Sequence, residues 1–283
     1  MKSIRVLKLG VVVSLGLFLW WAHPGRSAAS DLPTPDVFKI VEVRSQQSLS
    51  AETVLSDLAR ARVVYLGETH DSLSDHQAQF KIIQALHRLN PRLVIGMEMF
   101  QRPFQPVVDR YLTGNITEAE LLHLTQYNRR WGYTWEFYAP MMRFAKRHQL
   151  PVIALNAPSE VARKVARTGL ESLSLADRRF IPPRSAIRLE PATYRQRIRQ
   201  IYDEIHQGKG NNTSFERFFQ VQVLWDETMA ERIAQVLREK PTALVVVLVG
   251  QGHVLYGEGI PERVARRLSG QPGFRQRSVL LNP

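Results

Sequence analysis

The 283-residue chain contains no cysteine. This excludes disulfides, thiolate metal sites, a cysteine nucleophile and a lipidated N-terminal cysteine. There is no Gly-x-Ser-x-Gly elbow, no Walker A lysine and no His-Glu-x-x-His pair. The usual serine-hydrolase, P-loop and zincin signatures are therefore missing. Gly250-x-Gly252 follows an apolar run, but no third glycine comes three residues later and little chain remains for a ribose-binding acid. A dinucleotide site is excluded on that ground. The basic stretch 178–199 has only Phe180 and Tyr194 as aromatics, which gives no footprint for nucleic acid. Internal repeats and low-complexity tracts are absent as well.

What is present is ordinary globular material, 44% hydrophobic and 23% charged. Lys and Arg number 38 against 26 Asp and Glu, a formal +12 that favours anionic partners such as acidic lipid or a ligand carrying carboxylates. Lys2, Arg5, Lys8 and Arg26 fall within residues 1–29, which hold no acid. There a positive start precedes the 14-residue apolar run Leu9 to Ala22 and the small residues Ser27-Ala28-Ala29. That order describes a signal peptide. As a helix the run spans roughly 21 Å, short of a ~30 Å bilayer core. An uncleaved anchor, with Trp20 and Trp21 at the interface, is the alternative. Both readings export the rest to the periplasm or hold it at the membrane. Neither makes it a lipoprotein. Residues 30–36 read as a linker, and 37–283 as a single domain.

Apolar runs at Val63–Leu66, Leu93–Met97, Val152–Leu155, Ala243–Val249 and, more weakly, Ser278–Leu281 predict strands covered on both faces. Helical stretches alternate with them. Thr117-x-x-Glu120 and Thr193-x-x-Gln196 fit capping boxes, Ser159 is placed to cap a helix ending near Gly169, and Pro261 suits a first turn. Phe218, Trp225, Met229, Ile233 and Val236 recur at helical spacing between Ser214 and Glu239. The expected class is α/β: a mostly parallel sheet flanked by helices, with helical insertions at about 101–150 and 170–240 forming a lid.

Polar residues follow the apolar runs directly: Glu68 and His70, Glu98, Asn156, and His253. In a parallel sheet such strand ends share one edge, where open α/β folds bind ligands. Glu68, His70, Glu98 and His253 offer nitrogen and oxygen ligands for a divalent metal ion, with one carboxylate left as a general base for hydrolysis. Segment 131–138 is dense in rings: Trp131, Tyr133, Trp135, Phe137 and Tyr138. Such a segment can stack on a flat aromatic ligand, and Arg129, Arg130 and Arg143 lie close enough in sequence to lower a phenol pKa.

The segments GETHD (67–71), GMEMFQRPFQPVVDRYLTG (96–114), W-x-x-x-W-x-x-Y-x-P (131–140), ALNAP (154–158), WDETMA (225–230) and GQGHVLYGEGIPERV (250–264) resemble the ChaN family of haem-binding proteins. The wider group includes Tiki-like, TraB-like and erythromycin-esterase-like proteins. The resemblance implies an α/β fold that binds haem, dimerises around it and serves iron uptake or trafficking, with a haem transporter or the membrane surface as further partners. Many relatives are lipoproteins, from which this chain departs. Haem iron accepts His, Met or Tyr once Cys is unavailable. The expectation is ferric haem ligated by Tyr138, with Tyr133 second. His253 and His70 then line the opposite side, and Trp131 and Trp135 stack. Arg129 and Arg130 adjoin, and they and Arg184, Arg188, Arg195, Arg197 and Arg199 are propionate candidates. A metal-dependent hydrolase and a membrane-surface adaptor remain the competing readings.

Overall fold

The computed structural model describes residues 5–11, 38–42, 45–189, 191–205 and 212–282. Its strands are β1 (Arg5–Val11), β2 (Phe38–Glu42), β3 (Ser48–Leu49), β4 (Val63–Glu68), β5 (Leu93–Gln101), β6 (Val152–Asn156), β7 (Leu244–Gly250) and β8 (Gln276–Leu281). Its α-helices are α1 (Ala51–Ala59), α2 (Leu73–Leu89), α3 (Gln105–Leu112), α4 (Glu118–Thr125), α5 (Tyr127–Arg130), α6 (Ala139–Arg147), α7 (Ser159–Thr168), α8 (Ala192–Ile205), α9 (Asn212–Glu239) and α10 (Ile260–Arg267). The strands form one sheet in the order β3-β2-β1-β8-β4-β7-β5-β6. Neighbours from β1 through β6 are parallel, whereas β2 and β3 join antiparallel at one side. The expected α/β class is borne out.

Each central strand divides its side chains between two cores. Leu244, Val246 and Leu248 of β7 face the cluster under α2 and α6, while Val245, Val247 and Val249 face α9 and α10. Every residue of β4, β5, β6 and β7 is buried. That is why these strands read as continuous apolar runs rather than alternating ones. A third apolar cluster joins α7, α8 and the first half of α9.

Start signals held where the chain turns freely. Thr117 and Glu120 close a capping box on α4, Pro261 sits in the first turn of α10, and Gly169, at φ 85°, ends α7. Two expectations shift. Pro158, not Ser159, precedes α7, because Ser159 is occupied within the site: its N–H donates to Gln101 Oε1 (3.1 Å) and its Oγ accepts from Arg130 (2.8 Å). Helix α8 begins at Ala192, so Thr193 stands inside its first turn.

The first part of the expected leader, Arg5–Val11, forms β1 between β8 and β2. The remainder of the apolar run, Ser27-Ala28-Ala29 and the linker 30–36 lie outside the described residues. Among the described residues no helix is long and apolar enough to cross a membrane.

Candidate functional site

Because β4, β5, β6 and β7 run parallel, their carboxyl ends share one edge, and Glu68, Glu98, Asn156 and Gly250 meet there. Strand β5 bulges at this edge: from Met97 to Gln101 it takes four steps while β6 takes two, from Ala154 to Asn156. Bulges of this kind re-aim side chains beside functional sites. Here Glu98 and Gln101 both reach the same cavity, of about 540 Å³. Its walls include His70, Glu98, Trp131, Tyr133, Asn156 and His253, closed on the far side by α7 and α9. Both helix-rich stretches contribute: residues 130–133 come from the first, and Val221, Gln222 and Trp225 from the second.

Two histidine–carboxylate assemblies flank the cavity. In the first, Glu68 is fully buried and accepts from Tyr138 Oη (2.6 Å) and Gln79 Nε2 (2.6 Å), with His70 Nδ1 at 2.9 Å from its Oε1. His70 lines the cavity, and among the described residues its ring bonds through Nδ1 to Glu68 while its Nε2 makes no hydrogen bond. A Cβ at Gly250 would lie 2.8 Å from that nitrogen, so glycine there makes room for the ring. His70 packs against Trp131 and Tyr133, with ring centroids 4.9 and 4.8 Å away. Burial acts to lower the His70 pKa, but the Glu68 hydrogen bond and the Glu98 charge outweigh it and raise it.

In the second assembly, both nitrogens of His253 face carboxylates: Nδ1 lies 2.6 Å from Asp226 Oδ1 and Nε2 3.4 Å from Glu98 Oε1. Asp226 also accepts from the Tyr194 hydroxyl, and Glu98 from the Gly250 N–H (2.8 Å). Burial opposes a charge on His253, yet the charges of Glu98 and Asp226 prevail and push its pKa up to about 10. The imidazolium therefore holds both N–H groups in ion pairs at neutral pH. Burial acts to raise the Glu98 pKa, but His253, His70 and the Gly250 N–H bring it below the usual carboxylate range.

The two tyrosines separate. Tyr133 is exposed and lines the cavity. Tyr138 is fully buried behind the wall, and burial together with the Glu68 carboxylate pushes its phenol far above the ordinary value. Such a phenol is spent as a donor and resists ionisation. Trp131 lines the cavity, whereas Trp135 is buried and donates to Glu118 (2.9 Å). Arg130 lines it while bound to Gln101, Ser159 and Glu160. Arg129 is exposed outside it, and Arg143 pairs with Glu118. Arg184, Arg195, Arg197 and Arg199 pair with Glu171, Glu216, Glu258 and Asp203, and none of them, nor Arg188, lines the cavity.

Glu68, His70, Glu98 and His253 are thus brought to one edge, but in two separate pairs bridged by hydrogen bonds. Among the described residues no group of three or more His, Asp or Glu side chains is placed to hold a metal ion. Sequence reasoning missed Asp226, Gln79, Gln101, Ser159 and Trp225. For Asp226 a signal existed: Asp226-Glu227-Thr228 is a polar triplet inside an apolar helix, and all three are fully buried.

This geometry has relatives. A protein of Arabidopsis thaliana, RETICULATA-RELATED 5, chloroplastic, is 27% identical over 243 residues, covering 81% of this chain and 32% of that protein. The chain therefore spans about a third of that curated relative's length. The solved structure of ChaN of Campylobacter jejuni, with cofacial haem binding, matches at TM-score 0.68 and 18% identity over 87% of this chain and 91% of that one. An erythromycin esterase mutant, EreC in its open conformation, aligns at TM-score 0.48 and 12% identity, over 81% of this chain and 72% of that one. The model of the family described as haem-binding uptake, Tiki superfamily, ChaN, matches residues 54–264, and the chain belongs to that family.

Proposed function

We propose that the protein binds haem in the strand-end cavity. The observation that carries this reading is the company the cavity keeps: Trp131, Tyr133 and Trp225 present ring area, and His70 and Tyr133 line it together with their ring centroids 4.8 Å apart. Tyr133 is the residue that would hold the iron of a bound ferric haem through its phenol oxygen, and His70, with its ring centroid 4.8 Å from that of Tyr133, would accept or return the phenol proton. His253 serves as a fixed positive charge, because both its nitrogens are already engaged. Bound haem would supply an iron centre whose oxidation state a hard anionic ligand biases toward Fe(III). The chain itself contributes stacking area, a proton partner and exclusion of water.

The ChaN relative binds haem cofacially, which supports a homodimer in which two such cavities face each other. The positive, acid-free start of the chain supports export, with a role in haem uptake or trafficking at the membrane surface. Titration of the purified chain with haemin tests the central reading. A saturable Soret shift is expected, with a charge-transfer band that disappears in Tyr133→Phe. Loss of that band in Tyr138→Phe instead would reassign the ligand, and no saturable shift at all would remove haem from the account.

A further inference from the structure

The cavity is electrically lopsided. Its strand-end side is rich in carboxylates, with Glu68, Glu98 and Asp226 clustered around His70 and His253. Its lining also includes Arg130 at the end of α5 and Arg163 of α7, with Glu160 between them. These two arginines are not equivalent. Arg130 is pinned, giving two hydrogen bonds to Glu160 and others to Gln101 and Ser159, with its guanidinium over the Phe104 ring. The Arg130 hydrogen bonds pull the Glu160 pKa down to about 2, so that carboxylate stays charged and committed. Arg163 touches Glu160 only at 3.6 Å, with 59% of its side chain in solvent. It lines the cavity as a loosely held cation, and Gln222 of α9 lines the same cavity.

Ala162 and Ala166 leave the α7 side low, while Val221 and Trp225, one turn apart on α9, supply apolar wall. An amphipathic planar anion entering here would set its apolar body between the helices. Its acid groups would meet Arg163 rather than the carboxylates at the strand ends. Resting on the haem reading above, we propose that Arg163, together with Gln222 of the same cavity, is a carboxylate subsite that takes the ligand's propionates and fixes which edge of the ring points outward. Arg130 positions Glu160 and the β5–α7 junction, and does not bind the ligand's acid groups itself.

The test compares haemin with its dimethyl ester on the full chain, by Soret titration of wild type, Arg163→Gln and Arg163→Glu. Because Arg163 is largely in solvent, the variants should keep the wild-type melting temperature. Loss of a charge-assisted bond to a carboxylate predicts haemin binding about tenfold weaker or more in Arg163→Gln, and weaker still in Arg163→Glu. The dimethyl ester, lacking the charges, should bind all three proteins alike, and added salt should weaken haemin on wild type more than on Arg163→Gln. Equal losses for haemin and ester, or no loss for haemin, would overturn the subsite while leaving haem binding intact. Failure of wild type to bind either porphyrin would overturn both the subsite and the reading beneath it.

Discussion

His70 and His253 line the same strand-end side of one cavity, each beside a buried glutamate, and they are built for opposite ends. His253 is closed: Asp226 holds one nitrogen, Glu98 faces the other, and the ring carries a charge that cannot leave without exposing two buried acids. His70 is open: Glu68 holds Nδ1, and among the described residues Nε2 makes no hydrogen bond. Counting carboxylates thus separates a structural cation from an available base, although the sequence presents both as histidines just after a strand. Tyr138 and Tyr133 repeat the lesson. One phenol is tied to Glu68, and its neighbour in sequence is free to meet a ligand.

The hardest blow to this contrast is struck on the closed side. Asp226→Ala leaves His253 and the Tyr194 hydroxyl without their buried partner, and should cost about 3–5 kcal/mol in urea unfolding. A loss below 1 kcal/mol would mean that the charge on His253 is not held as described. Second comes pH. The folded pKa of His253 is raised from the ordinary 6.5 to about 10, so its stabilisation is complete below pH 6.5 and is lost as pH rises through about 10. The unfolding free energy should fall between pH 7 and 10 by an amount on the order of a few kcal/mol, and His253→Gln should flatten that slope.

The tyrosine pair gives the third comparison. Tyr138→Phe removes a hydrogen bond to a buried carboxylate and should lower stability by about 1.5–3 kcal/mol with the haem spectrum retained. Tyr133→Phe should do the reverse, changing the spectrum while stability stays within about 0.5 kcal/mol of wild type. The last comparison is Gly250→Ala. Its methyl group meets the far end of the His70 ring, which can move, so stability should drop by only about 1 kcal/mol. A displaced His70 should nevertheless show as a shifted His70 resonance in NMR, and an unmoved resonance would deny that glycine sets the ring's place.

Much of this plan was legible in the sequence. Long apolar runs mark β4 to β8 because both faces of each strand are covered, and the polar residues after them mark the edge. Strands β2 and β3 carry no such mark: FKIVE mixes charged and apolar residues, and β3 is two residues long. Density of rings at 131–138 was readable, but not which ring faces the cavity. That depends on Tyr133 lying in a loop and Tyr138 at the start of α6, where it turns inward. Asp226 escaped because helical periodicity assigns one buried face, whereas this part of α9 is met from several sides, Asp226 by Tyr194 of α8 and by His253, and Glu227 by Arg266 of α10. Glu98 was expected at a strand end. It lies instead inside a longer strand whose bulge turns it toward the cavity.

The sheet order also sets a timetable. Strand β4, which presents Glu68, has β7 and β8 as its neighbours, both of them encoded far downstream. The turn that carries His70 is fastened the same way, with Asn282 Nδ2 donating to Ser74 Oγ (2.9 Å) and to Asp75 Oδ1 (2.5 Å). Contacts so distant along the chain must close large loops before they return any stability. During synthesis β4 therefore emerges early and waits unpaired. The cavity, and with it any affinity for ligand, comes into being only after residues 244–281 have left the ribosome. A chain made only as far as β6 is consequently a poor trap for any ligand of this cavity.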